Sequence, residues 1–309
     1  MSARHLLDVT DLSAHEVREI LALAQQPIDT LDRPLAGLGA ALIFEKPSNR
    51  TRHSMEMAVY QLGGHPIYTR GEEVGMDTRE PVEDVARIME GYHALIAARV
   101  FEHSTVTRIA AAVDIPVVNM LSDHSHPLQA LADALTMQQS LGELSGKTVA
   151  YVGDYNNVAR SLAEISAMLG MHVRFACPMG FDAPTEELER FTMLGAPSVE
   201  QFVRPADAVA GAHAVHTDTW VSMGQEEEKQ QRLQQFEGYT VDEAMLAVAD
   251  PTAVFMHCLP AYRGIEVAPE VIDGPRSVVF QQGHNRLHAA RGALAFLLGS
   301  RAHPTPNDE

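Results

Sequence analysis

Apolar runs of strand length alternate with stretches of helical spacing along most of this chain. Asp11-Leu12-Ser13 leads into Ala14-His15-Glu16, which predicts a helix start with Ser13 as N-cap and Glu16 closing a capping box; the helix runs to about Ala24. The run 39–44 (GAALIF) is apolar and of buried-strand length, and it ends in a polar turn, Glu45-Lys46-Pro47-Ser48-Asn49. Helical spacing follows over 51–62. The unit recurs as strand 94–100 with helix 105–113, strand 116–120 with helix 127–140, and strand 148–154 with helix 158–170, the last closing on a glycine C-cap. Further strands are predicted over 172–176, 214–216 and 254–257, and a terminal helix over 286–298. The polar run 225–235 reads as a solvated helix or loop. Such alternation implies parallel sheets covered on both faces, so the fold class is α/β with two doubly wound parallel-sheet domains. The joint at 142–146 (GELSG) divides them into 1–142 and 146–284, and the last segment, 286–309, is able to return to the first domain.

Composition narrows the function. Length and composition (309 residues, 46% hydrophobic, 21% charged) suit two globular domains and exclude disorder, collagen and coiled coil. Against 41 acidic residues stand 23 Lys+Arg, a net charge of −18, which disfavours nucleic acid and anionic membrane surfaces as partners. No apolar run reaches the ~20 residues that span a bilayer. The N-terminus lacks the basic-then-apolar layout of a signal peptide. Two cysteines, Cys177 and Cys258, cannot build a disulfide framework, and no CxxC spacing suggests structural zinc. A reducing cytoplasm is the expected setting.

Against that acidic background several positive charges sit in unusual places. Ser48-Asn49-Arg50-Thr51-Arg52 lies at a strand-to-helix turn, where free N–H groups and the helix dipole favour an anion. Its arginines and hydroxyls supply the donors a phosphate needs, although solvated arginines at a helix start would give the same pattern. Arg99 ends a predicted strand, the usual place for ligand residues in α/β folds. In Asp123-His124-Ser125-His126-Pro127-Leu128-Gln129 the next helix opens with His126 and Gln129 on its first turn, able to aim a donor and an amide at one small group. No third ligand of suitable spacing accompanies the two histidines, so no metal and no other cofactor is expected.

Gly153-Asp154-Tyr155-Asn156-Asn157 follows the strongest strand but lacks the second and third glycines of a dinucleotide fingerprint, which argues against a nicotinamide enzyme. Its asparagine amides suit an amino-acid head group better. Thr217-Asp218-Thr219-Trp220-Val221-Ser222-Met223-Gly224 places an acid, a hydroxyl and a glycine after another strand. His257-Cys258-Leu259-Pro260 ends the 254–257 strand, where partial exposure of Cys258 is plausible, whereas Cys177 has no partner motif and reads as structural. Asn285-Arg286-Leu287-His288 opens the predicted last helix with one more buried-looking arginine.

Taken together, Phe44 to Arg52, the His126-Pro127-Leu128-Gln129 turn, Asp218 with Ser222-Met223-Gly224, and His257-Cys258-Leu259-Pro260 resemble the aspartate/ornithine carbamoyltransferase family, and the last two elements resemble its ornithine branch. The resemblance runs in order from about Leu6 to Leu298. It implies a carbamoyl-phosphate domain and an ornithine domain linked by long helices, transfer of the carbamoyl group of carbamoyl phosphate to ornithine to give citrulline and phosphate in arginine biosynthesis, and a homotrimer or an assembly of trimers. Carried over by residue, it implies that Ser48, Asn49, Arg50, Thr51 and Arg99 hold phosphate, and that Thr51, Arg99 and His126 polarise the carbamoyl oxygen. Gln129, Arg286 and the backbone near Cys258 and Leu259 would orient the carbamoyl nitrogen. Asn157, Asp218, Ser222 and Met223 would hold ornithine, with Asp218 and Cys258 at its side-chain amine. Three positions depart from the family pattern: Asn49 replaces a threonine, the 69–79 loop lacks a glutamine that relatives extend into a neighbouring subunit, and His284 replaces an acid. A carbamoyltransferase for putrescine and a catalytically silent relative are the alternatives; retention of Asp218 speaks against the first, and retention of Arg50, Arg99 and His126 against the second.

Overall fold

The computed structural model describes residues 3–221 and 229–299. Two compact units emerge, one formed by residues up to Leu128 with those from Arg286 onward, the other by Gln129–Asn285. The chain passes from one to the other within helix Pro127–Leu141 and returns within helix Val279–Gly299. Each unit holds one all-parallel sheet, as α/β alternation dictates, because parallel neighbours need a crossover that a helix supplies.

The first unit contains strands β1 (Gly39–Phe44), β2 (His65–Arg70), β3 (Leu95–Arg99) and β4 (Val117–Leu121), in the order β2-β1-β3-β4. Strands β1, β3 and β4 are almost wholly buried and read in sequence as apolar runs; β2 was not predicted, since it is an edge strand, half exposed and carrying Pro66. Connections leave the β1 and β3 ends in opposite directions, so the crevice beside Phe44 and Arg99, paired in register, is the topological switch point where ligands bind in such sheets. A register irregularity between Ala98 and Arg99 accompanies the end of β3.

The second unit contains β5 (Thr148–Val152), β6 (His172–Ala176), β7 (Val199–Phe202), β8 (Ala214–Thr217) and β9 (Val254–His257), in the order β7-β6-β5-β8-β9. Its switch point lies between β5 and β8. Register pairs Val152 with Thr217 and Thr217 with His257, so the residues that follow these ends, Gly153, Asp218 and Cys258, emerge side by side. Strand β7, a short polar edge, also escaped the hydrophobic pattern. The Trp220, Phe236 and Tyr239 rings and apolar residues from β5, β8 and β9 form the core beneath this end.

Local chemistry explains most element boundaries. Ser13 caps helix Ala14–Gln25, accepting from the Glu16 N–H while Glu16 accepts the Ser13 N–H at 2.7 Å. Ser48 caps helix Asn49–Gln61 through the Thr51 N–H, 3.3 Å away. The last helix begins at Val279, not near 286, so Arg286 lies inside it rather than at its start. The polar run Gln281-Gln282-Gly283-His284-Asn285 disguised this, because Gln282 and Asn285 are polar groups buried by hydrogen-bond partners of their own. The 229–235 part of the run read as solvated is a helix with Arg232 buried.

Helix Val279–Gly299 packs closely on helix Ala14–Gln25 at Gly292. A Cβ there would lie 2.6 Å from the Ile20 carbonyl oxygen and 2.9 Å from the Ala24 nitrogen. Beside it Arg291 donates to the Ala24 and Gln26 carbonyls at 3.0 and 2.8 Å, closing the end of the first helix. Alanine normally stabilises a helix relative to glycine, but here backbone resists it, so Gly292→Ala is expected to lose about 1–3 kcal/mol. Thermal unfolding would read this as a Tm several degrees lower; an unchanged or higher Tm would show that the two helices separate without cost.

Candidate active site

At the switch point of the first unit, the N-terminus of helix Asn49–Gln61 meets the end of β3. Thr51 is buried, and its hydroxyl oxygen accepts from Arg286 at 2.7 Å and from Arg99 at 3.4 Å. Both arginines are themselves more than nine-tenths buried. Two buried guanidiniums beside the N–H groups of a helix start, in a chain of net charge −18, supply the donors that an anion needs. His126 is buried next to them. Burial, then the charges of Arg286 and Arg99, hold its pKa well below the ordinary histidine value. It is therefore neutral at pH 7, able to donate one N–H without adding a third charge.

Arg50 is half-buried on the same helix turn and Asn49 is exposed. Lys46, in the turn after β1, was not singled out by the sequence. Its ammonium lies 4.5 Å from the centre of the Phe101 ring, and burial together with Arg99 lowers its pKa. Phe101 is held against that turn by its own N–H, which donates to Glu45 at 2.9 Å.

The second unit carries a different chemistry at its switch point. Asn156 caps helix Asn157–Met168, accepting from the Val158 and Ala159 N–H groups at 2.9 and 3.0 Å. With its oxygen so committed, its amide nitrogen donates to Asp218 at 3.2 Å. The Cys258 thiol donates to the other Asp218 oxygen at 3.1 Å. Asp218 is thus a nearly buried carboxylate ringed by neutral donors, an acceptor for a cation. Asn156, which the sequence did not single out, is thus the side chain on Asp218, next in the chain to Asn157, the first residue of the helix. Gln129 is buried, its amide nitrogen donating to Asp133 at 2.7 Å.

The Cys258 end of β9 is firmly held. The His257 Nδ1 accepts the Leu259 N–H at 2.9 Å, which leaves the proton on Nε2, facing Glu266 at 3.1 Å. Leu259 adopts φ +59, unusual for a branched side chain, and Leu259-Pro260 is cis. Ligand atoms of Asp218, His257 and Cys258 lie within 4.8 Å of one another, as a metal would require. Yet both ring nitrogens of His257 serve protein hydrogen bonds, and the thiol proton serves Asp218, so this set fits a hydrogen-bonded cluster better than a metal centre. Cys177 is buried and its thiol is pushed up by burial, an inert core group. Ser222 and Met223, with the rest of residues 222–228, lie outside the described residues, as does the end of the 286–309 segment from 300 onward.

An anion pocket on one α/β unit and a cation acceptor on the next suit an enzyme of a phosphorylated substrate and an amine. Residues 4–139 match the family model for the aspartate/ornithine carbamoyltransferase carbamoyl-P binding domain, and residues 145–297 match that for the Asp/Orn binding domain. The chain belongs to the aspartate/ornithine carbamoyltransferase family. Within the family it is 44% identical over 307 residues to the ornithine carbamoyltransferase of Parafrankia sp., covering 96% of this chain and 97% of that protein. Among solved structures it is similar to the ornithine carbamoyltransferase of Pyrococcus furiosus, with a TM-score of 0.92 and 40% identity over 97% of this chain and 98% of that one. The ornithine carbamoyltransferase from Thermus thermophilus has a TM-score of 0.87 at 42% identity, covering 96% and 100%. No helix among the described residues is long and apolar enough to cross a membrane.

Proposed function

We propose that this member of the family transfers the carbamoyl group of carbamoyl phosphate to the side-chain amine of L-ornithine, yielding L-citrulline and phosphate, in the direction of arginine synthesis. It would act in the cytoplasm as a homo-oligomer, a trimer or an assembly of trimers. The observation that carries the choice of ornithine over aspartate is Asp218: a buried carboxylate ringed by Asn156 and Cys258 attracts an ammonium and repels a second carboxylate. The ornithine carbamoyltransferases to which the chain is similar support the same reading.

In this reading Ser48, Asn49, Arg50, Thr51 and Arg99 bind the phosphate, and Thr51, Arg99 and neutral His126 stabilise the oxyanion. The neutral amine nitrogen attacks the carbonyl carbon, the C–O bond to phosphate breaks, phosphate leaves with the bonding pair, and the proton shed by the attacking nitrogen is taken up by the departing phosphate. Donors already in place lower the barrier because they need no reorganisation as charge develops. Gln129, Arg286 and the backbone at Cys258 and Leu259 orient the carbamoyl nitrogen. Asn157, Asp218, Ser222 and Met223 hold ornithine, with Asp218 and Cys258 at the attacking amine.

The test is product formation by the purified protein with carbamoyl phosphate and ornithine, putrescine or aspartate in parallel. Citrulline from ornithine, with far less product from the others, is the expected result; silence with all three in a folded protein that binds carbamoyl phosphate would favour a non-catalytic relative. Attack also needs an unprotonated amine, and an alkylammonium of lysine type has a pKa of about 10.4. Each unit of pH below that value removes most of the reactive form, so the rate at subsaturating ornithine rises from pH 6 to 9. His126, already neutral throughout this range, adds no opposing limb. A flat profile would show that amine deprotonation does not control the rate.

A further inference from the structure

Within the first unit, residues 5–8 are tied to the turn that carries His126, and the proposed reaction gives them no part. They run along the open edge of β4, where the Leu6 N–H donates to the Val117 carbonyl at 2.9 Å. The Asn119 N–H donates in turn to the Leu6 carbonyl at 2.8 Å, and the Val117 N–H donates to the His5 ring at 3.1 Å. Asn119 is the one polar residue of β4, and it is fully buried. A buried amide needs partners. Its nitrogen meets the Leu7 carbonyl at 2.9 Å, and the Ser122 hydroxyl and Ser125 carbonyl at 3.2 Å each. Turning the amide over would set its oxygen against two carbonyl oxygens, so its orientation is fixed. One side chain thus joins the N-terminal segment to the 122–125 turn.

Asp8 makes the second link. Its Oδ1 accepts from the Ser125 hydroxyl at 3.0 Å and from the Val9 N–H at 2.7 Å. Its Oδ2 lies 3.6 Å from His124 Nε2. Ser125 is fully buried and directly precedes His126. The turn is held from its other side by the loop after β3. There the His103 N–H donates to Asp123 at 2.8 Å, and the Asp123 N–H donates to the Phe101 carbonyl at 3.0 Å. Losing Asp8 would therefore shift the turn without releasing it. We infer that Asp8, bonded to Ser125, is a positioning residue for His126, so that the 5–8 segment sets where this ring stands against the carbamoyl oxygen. The inference rests on the proposed role of His126 at that oxygen. A donor aimed at developing charge acts through its placement, and a small displacement is felt mainly in the transition state. The effect should appear in kcat more than in the binding of phosphate. The proposed phosphate donors belong to β3 and to the turn after β1, on the far side of β4 from Asp8.

Steady-state citrulline formation, with inorganic phosphate as competitive inhibitor, separates positioning from a merely structural role. In Asp8→Ala the Ser125 hydroxyl loses its acceptor, and kcat is expected to fall about tenfold. The Ki for inorganic phosphate stays within about twofold of wild type. Asp8→Asn keeps an acceptor oxygen for Ser125, so its kcat returns to within about twofold of wild type. Ser125→Ala breaks the same bond from the other end and leaves the Val9 N–H capped, so it carries the test should Asp8→Ala fail to fold. The double variant is expected to lose no more than the worse single variant, because both break one bond. Losses that multiply in the double variant, an asparagine variant as impaired as alanine, or a phosphate Ki that rises as far as kcat falls would each overturn the inference. His126→Ala, measured alongside, keeps the two readings apart. A kcat near wild type there, or a wild type that forms no citrulline, defeats the proposed role of His126 and this inference with it. A large loss there, with none at Asp8 or Ser125, defeats the role of Asp8 alone.

Discussion

Replacing Arg99 by alanine is expected to lower kcat/KM for carbamoyl phosphate by about 10²–10³-fold, the loss seen when one preorganised oxyanion donor is removed. Arg99 is buried at the end of β3, and its guanidinium reaches the Thr51 hydroxyl at the helix N-terminus. It would serve two charges at once: the phosphate in the ground state and the oxyanion that forms on attack. Its removal should therefore raise KM and lower kcat together. Arg99→Lys keeps the charge but loses the planar fork, so it recovers only part of the activity. Steady-state kinetics, with thermal unfolding to show that the variant is folded, makes the comparison. A drop of less than tenfold in kcat/KM would remove Arg99 from both roles.

The second large effect is expected at Asp218. Asp218→Asn preserves size and retains an acceptor for Cys258 or Asn156 while removing the negative charge. Truncating one partner of a buried charge pair costs about 2–5 kcal/mol, so kcat/KM for ornithine should fall by roughly a hundredfold or more. The Ki for inorganic phosphate, which reports on the anion pocket of the first unit, should stay unchanged. Parallel loss of both would mean that the substitution disturbs the fold and not the amine site. Cys258→Ser offers a milder comparison, since a hydroxyl can replace the thiol that donates to Asp218.

The two units balance charge in opposite ways, and this bears on how each tolerates change. Around Thr51 two buried guanidiniums stand with a histidine that burial and their charges keep neutral. A ligand that binds only the folded state raises Tm by the logarithm of its saturation, so phosphate is expected to raise Tm if it binds there. Around Asp218 the carboxylate is met by neutral donors from the capping Asn156 and from Cys258, which leaves its charge to be matched by a bound ammonium.

Hydrophobic pattern alone determined the α/β class and most of the central strands, because a strand buried on both faces must be apolar at nearly every position. The runs at 39–44, 95–99 and 148–152 show this. Strands β2 and β7 escaped for the same reason turned around: edge strands, partly exposed, carry Pro66 or Glu200 at no cost in buried polarity. The cap at Ser13 was legible, since a short hydroxyl before a helical stretch satisfies a local N–H group within three residues, whereas Ser48, read as part of a turn, caps its helix in the same way. The helix-start position of Thr51 and the strand-end positions of Arg99, Asp218 and Cys258 were legible too. Which of them touch was not. Thr51 and Arg286 are 235 residues apart in sequence, and Asp218 and Cys258 are 40 apart. Only sheet register and the passage of the last helix bring such pairs within hydrogen-bond reach. Polar residues buried inside that helix, Gln282 and Asn285, hid its first turns, because their cost is offset by partners in another helix that no local pattern reveals. Local propensity and burial can be read along a chain, whereas the pairing of buried polar groups depends on the tertiary structure that brings them together.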